Sequence, residues 1–112
     1  MKFDLREKNG VVIITVEGKM VGGPDATLLS EKLHEYIENK KNRFLVDMAK
    51  VDWMNSSGLG ILIGGLSTVR NRGGNLKLLH VGKKPRELLE ITKLDRIFEM
   101  QEEEEAAIAS FA

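Results

Sequence analysis

Between residues 44 and 81 the spacing of apolar residues changes period twice, and this constrains the fold more than any other feature of the chain. Residues 44–48 form a short apolar run, continued loosely through Val51, Trp53 and Met54. Leu59, Leu62, Ile63, Leu66 and Val69 then recur at the spacing of one helix face. Residues 76–81 return to a short apolar run. Two buried strands joined by a helix require a crossover, so they lie parallel in one sheet.

The flanking segments extend that pattern. Phe3 and Leu5 alternate with polar residues, Asn9-Gly10 supplies a two-residue hairpin turn, and the β-branched run 11–16 ends at Gly18. Val21-Gly22-Gly23-Pro24-Asp25 is a loop feeding a helix, with Pro24 suited to the first turn and Asp25 to its dipole. Ala26, Leu29, Leu33, Tyr36 and Ile37 mark that helix's inner face, and residues 39–42 close it. Arg70, Arg72 and Gly73-Gly74 end the central helix. Gly82-Lys83-Lys84-Pro85 turns into a short helix carrying Leu88, Leu89 and Ile91. Residues 97–100 are expected as an edge strand, and 102–111 as a last helix opened by four glutamates. The order β-β-α-β-α-β-α-β-α predicts a single α/β domain over residues 1–112. Its sheet is mixed and mostly parallel, with about five strands and about four helices.

Composition removes several function classes. Lys plus Arg and Asp plus Glu are each 17, so no global basic field draws the chain to nucleic acid or an anionic membrane. There is no cysteine, hence no disulfide, thiolate nucleophile or Cys-based zinc site, and two histidines give no metal-ligand spacing. Residues 59–66 are the longest apolar stretch, far short of the ~20 residues that span a bilayer. The opening residues lack the apolar core of a signal peptide, which sets the expectation of a cytoplasmic protein without membrane insertion.

The candidate site is Asn55-Ser56-Ser57-Gly58-Leu59-Gly60, where a strand ends and a helix opens. The first amides of a helix have no backbone partners, and the dipole there favours negative charge, so a phosphate on a hydroxyl at this place is welcome. The glycines keep the surface low for a docking protein. The bland reading makes the polar residues caps and the glycines packing devices. A dinucleotide loop fails at Ile63, where a small residue is required. Catalysis by Ser56 needs a base, and only His34 and His80 are offered, neither near it in sequence. Trp53, the only tryptophan, is either an exposed interface anchor or a ring packed beside the sheet. The chain reads as a binder of protein, not an enzyme, with no cofactor.

At Val51-Asp52-Trp53-Met54-Asn55-Ser56-Ser57-Gly58-Leu59-Gly60 the chain resembles the STAS domain family, in particular the stand-alone anti-sigma factor antagonists. Val16-Glu17-Gly18, Phe44-Leu45-Val46-Asp47-Met48, Gly73-Gly74-Asn75-Leu76 and Leu94-Asp95-Arg96-Ile97-Phe98 carry the resemblance over nearly the whole length. It implies a partner that is both anti-sigma factor and serine kinase, and a PP2C-type phosphatase that restores the unmodified state. It implies phosphorylation of Ser56, with Ser57 second, and a docking face of Asn55, Ser56, Ser57, Gly58, Leu59, Gly60, Met20 and Trp53. The chain would act as a monomer or weak dimer. Two positions depart from the family: Asn55 stands for its aspartate before the serine, and Val21 for the acid after the second strand. Those departures give weight to an alternative, a non-phosphorylated STAS subunit acting as scaffold in a signalling or lipid-transport complex.

Overall fold

The computed structural model describes residues 1–111; Ala112, at which the expected domain ends, lies outside the described residues. β1 (Lys2–Lys8) and β2 (Val11–Met20) form an antiparallel hairpin over Asn9-Gly10. Both turn residues have positive φ, 53° and 79°, which a tight two-residue hairpin turn requires. There follow α1 (Pro24–Glu38), β3 (Arg43–Met54), α2 (Ser56–Arg70), β4 (Asn75–Leu79), α3 (Lys83–Ile91), a 3-10 turn (Leu94–Arg96), β5 (Met100–Gln101) and α4 (Glu104–Ala109).

The strands form one sheet in the order β1-β2-β3-β4-β5, with β2 to β5 parallel. This is the mixed, mostly parallel sheet that the apolar periods predict. When right-handed crossovers advance always in the same direction, every crossover helix falls on the same face. Accordingly Leu29 and Leu33 of α1, Leu62 and Leu66 of α2, and Leu89 of α3 share one core with Val12, Ile14, Phe44, Val46 and Leu78. The other face, carrying Val11, Ile13, Leu45 and Leu79, is closed by Ala107 and Ile108 of α4. Side chains alternate between faces along a strand, which is why residues 11–14 and 44–46 are apolar at every position.

The short helix α4 is tied down at several points. Lys77, 4% exposed, reaches Glu99 at 2.9 Å and donates to the Ser110 hydroxyl at 2.8 Å, with its ammonium 4.5 Å from the Phe111 ring centre. Arg6 pairs with Glu104 and Lys8 with Glu105.

The structure departs from the expected elements in four places. β2 does not end at Gly18 but passes through it (φ 86°) with a register irregularity and reaches Met20. The last strand is Met100–Gln101, because Phe98 is buried by a turn in which its amide donates to the Leu94 carbonyl at 3.1 Å. α4 starts at Glu104, since Glu103 is its cap and accepts from the Glu105 and Ala106 amides. Ile63 and Ile91, assigned by spacing to inner faces, are 40% and 78% exposed.

Candidate functional site

β2 and β3 end side by side, and the parallel register pairs Met20 with Met54. Val21 therefore leaves β2 beside the point where Asn55 leaves β3, and the Asn55 amide donates to the Met20 carbonyl at 3.3 Å. Asn55 is extended (φ −113°, ψ −172°), and its Oδ1 accepts from the Gly58 amide at 3.0 Å. It is the N-cap of α2. The Leu59 amide donates to the Asn55 carbonyl at 2.9 Å, the first bond of the helix proper. That leaves the amides of Ser56 and Ser57 without a partner among the described residues. No acidic residue lies in the first turn of α2. A free pair of amides, a dipole end and no carboxylate together make this helix start favourable to an anion.

The two serines are both exposed but differ in surroundings. A Cβ built on Gly22 would lie 3.2 Å from the Ser57 Cβ, so Ser57 abuts the loop between β2 and α1. Neither the Ser56 nor the Ser57 hydroxyl makes a hydrogen bond among the described residues. Gly60 is exposed, and a Cβ there would meet nothing within 4 Å. Trp53, at the end of β3, is 43% exposed and Val21 39%.

Three members of the expected docking face lie beneath it. Met20 is fully buried and Leu59 is 6% exposed, while a Cβ at buried Gly58 would lie 2.6 Å from the Met20 carbonyl carbon. Met20 is thus corrected from a contact residue to a support, because it continues the alternation of Val12, Ile14 and Val16 on the β2 face that meets the core. Gly58 is a packing device, as the bland reading held, whereas Gly60 leaves open surface.

A family model for the STAS domain matches residues 2–107. The chain belongs to the STAS domain family. This STAS chain is 26% identical to the anti-sigma-B factor antagonist of Bacillus subtilis, over 96% of its own length and 97% of the relative's. Among solved structures it resembles an anti-sigma factor antagonist from Mycobacterium paratuberculosis, with TM-score 0.81 at 19% identity, covering 98% of this chain and 92% of that one. It also resembles the anti-sigma factor antagonist SpoIIAA in its unphosphorylated form, with TM-score 0.75 at 19% identity, covering 97% and 96%. These likenesses establish the shared fold.

The two residues that the resemblance marks as uncharged, Asn55 and Val21, both lie where β2 and β3 end. Val21 and Asn55 each follow one member of the paired Met20 and Met54, and Asn55 directly precedes Ser56. Neither histidine is brought to that serine: the His34 Nδ1 donates to the Ser30 carbonyl at 2.8 Å, and the His80 Nδ1 lies 3.0 Å from the Asp47 carboxylate. Among the described residues no group of three His, Cys, Asp or Glu side chains could hold a metal, and no helix is long and apolar enough to cross a membrane.

Proposed function

We propose that this STAS domain is an anti-sigma factor antagonist that docks through the start of α2 and is switched off by phosphorylation of Ser56. The observation that carries the reading is the Ser56 hydroxyl. It is exposed, unbonded and set at a helix start whose first amides are free. The names of the relatives support the partner class, an anti-sigma factor.

The mechanism follows from the geometry. Unmodified, the surface around Ser56 is low at Gly60 and flanked by Trp53 and Val21, which gives an approaching protein an apolar contact beside small polar groups. A phosphate adds about −1.5 to −2 charge at that centre. The amides of Ser56 and Ser57 and the dipole tolerate it within the domain, so the fold need not change. A docked partner must instead desolvate a dianion, and binding fails there. Replacement of nearby acids by Asn55 and Val21 lowers the repulsion that the phosphate meets from its own domain. The partner is a kinase-type anti-sigma factor, with a PP2C-type phosphatase for reversal. The domain's own role is binding, not catalysis.

The uncharged Asn55 and Val21 favour one other reading, a STAS scaffold subunit that is never phosphorylated. Incubation with the cognate kinase and ATP, followed by mass-spectrometric mapping, separates the two. Phosphate on Ser56 supports the switch. Label on Ser57 alone moves the site, and no label leaves the scaffold.

A further inference from the structure

The turn between β1 and β2 sets two reactive groups side by side. Its φ angles are 53° at Asn9 and 79° at Gly10, and a two-residue turn of that shape selects asparagine followed by glycine. The same step is chemically exposed. A backbone amide can attack the carboxamide of the asparagine before it, and glycine has no Cβ to hinder the approach. Asn9-Gly10 is the only asparagine–glycine step in the chain.

The fold leaves both groups free at this turn. Asn9 and Gly10 are exposed, and a Cβ built on Gly10 would meet nothing within 4 Å. Neither the Asn9 carboxamide nor the Gly10 amide has a hydrogen-bond partner among the described residues. The other asparagines lack one condition or more. The Asn39 Nδ2 donates to the Glu35 carbonyl at 2.9 Å. The Asn55 Oδ1 accepts from the Gly58 amide at 3.0 Å, and the Asn75 Oδ1 from the Leu76 amide at 2.9 Å. After Asn71 the attacking group is occupied, since the Arg72 amide donates to the Val69 carbonyl at 3.0 Å. Asn42 is followed by Arg43, whose side chain hinders the approach.

We propose that Asn9 is a site of spontaneous modification, converted through a cyclic imide to aspartate and isoaspartate. Hydroxide removes the Gly10 amide proton, and the nitrogen attacks the Asn9 Cγ. The bond from Cγ to Nδ2 breaks, and Nδ2 leaves as ammonia after taking a proton from water, which regenerates the hydroxide. Water then opens the ring. Opening at the side-chain carbonyl gives aspartate, while opening at the main-chain carbonyl gives isoaspartate, with one extra carbon in the main chain. Asn9 must leave its turn conformation for the ring to close, so the rate follows the opening of an exposed loop tip.

The product acts on the fold. Lys8 pairs with Val11 directly across the turn, so a lengthened main chain at position 9 breaks the turn that sets this register. The new carboxylate lies next to Lys8, whose ammonium holds Glu105 of α4. Modification therefore weakens β1 and, through it, the attachment of α4. It does so at the end of β2 opposite Met20 and does not depend on partner docking at Ser56.

The test incubates the folded protein at mildly alkaline pH, beside a free peptide of residues 7–12. Mass-spectrometric peptide mapping follows each asparagine, and isoaspartyl methyltransferase labelling counts isoaspartate. Asn9 is expected to convert before any other asparagine, within roughly tenfold of the peptide's rate, and faster in proportion to hydroxide. Asn9→Gly keeps a turn-compatible pair and should carry no label. Aged wild type should show a lower urea midpoint and lower α4 amide protection than fresh protein, while aged Asn9→Gly should match its own fresh sample. Conversion of Asn9 slower than the peptide by more than about tenfold would overturn the proposal, because the turn would then be protected by the fold. Earlier conversion of another asparagine would overturn it as well, and so would label at Asn9 with an unchanged midpoint.

Discussion

The Met20 carbonyl stands directly against Gly58, so that a Cβ at position 58 would lie 2.6 Å from the carbonyl carbon and 2.9 Å from the Met20 Cβ. The same carbonyl accepts the Asn55 amide. One backbone group at the end of β2 therefore fixes both the cap and the first turn of α2. Neither side of this contact can yield by a rotamer change, because the obstruction is backbone. Gly58→Ala is expected to lower stability by roughly 3 kcal/mol in urea unfolding, with partner affinity falling alongside.

Gly64 should respond in the opposite sense. Its Cβ site is open, so Gly64→Ala is expected to raise stability by up to about 1 kcal/mol through helix propensity alone. The same urea titration reads it. The two alanine variants, on one helix and two turns apart, should therefore move the midpoint in opposite directions.

Asn55 caps α2 through its side-chain oxygen, and that role does not need charge. Asn55→Ala should cost about 1 kcal/mol, while Asn55→Asp keeps the acceptor, adds a favourable dipole contact and should leave the melting temperature unchanged or slightly higher. Thermal unfolding of the two variants checks this. If Asn55→Asp also speeds phosphorylation of Ser56 by the cognate kinase, the missing acid is a recognition feature and not a structural one.

Much of the fold was legible because apolar period is set by which faces are buried. The changes at residues 44–48, 59–69 and 76–81 and the Asn9-Gly10 turn define β-β-α-β-α-β before any contact is known. A polar cap at the start of α2 was legible too, but whether Asn55 or Ser56 supplies it is decided by the bond from the Gly58 amide to Asn55. What escaped depends on distant partners. That β2 runs past Gly18 to Met20 depends on its pairing with β3, which the glycine in the sequence conceals. The burial of Phe98 is equally compatible with a strand or a turn, and only its bond to Leu94 decides it. Gly58 and Gly60 look alike in the sequence, yet one is pressed on Met20 and the other is open.

α4 should detach first in acid. The Ala106 and Glu105 amides donate to the Glu103 carboxylate and hold its pKa below the ordinary value near 4.5. A carboxylate with a depressed folded pKa stabilises the folded form above its unfolded pKa, and that contribution is lost as pH falls through the folded one. The protection factors of the Ala107 and Ile108 amides, exchange rates taken relative to the unstructured chain at each pH, should accordingly fall as pH drops from about 6 to about 3. Glu103→Gln should already show lower protection at the upper pH, with its difference from wild type shrinking toward the lower. A constant difference across the range would mean that the cap charge is irrelevant.

The central claim is that Ser56 forms part of the docking face and carries no structural load. The direct measurement is calorimetric titration of the wild type and of Ser56→Asp against the cognate anti-sigma factor, with melting temperatures of both. The account predicts an affinity loss of roughly a hundredfold or more for Ser56→Asp, with melting temperatures within about 2 °C of each other. Wild-type affinity in Ser56→Asp would contradict it, and so would a loss of binding matched by a large loss of stability.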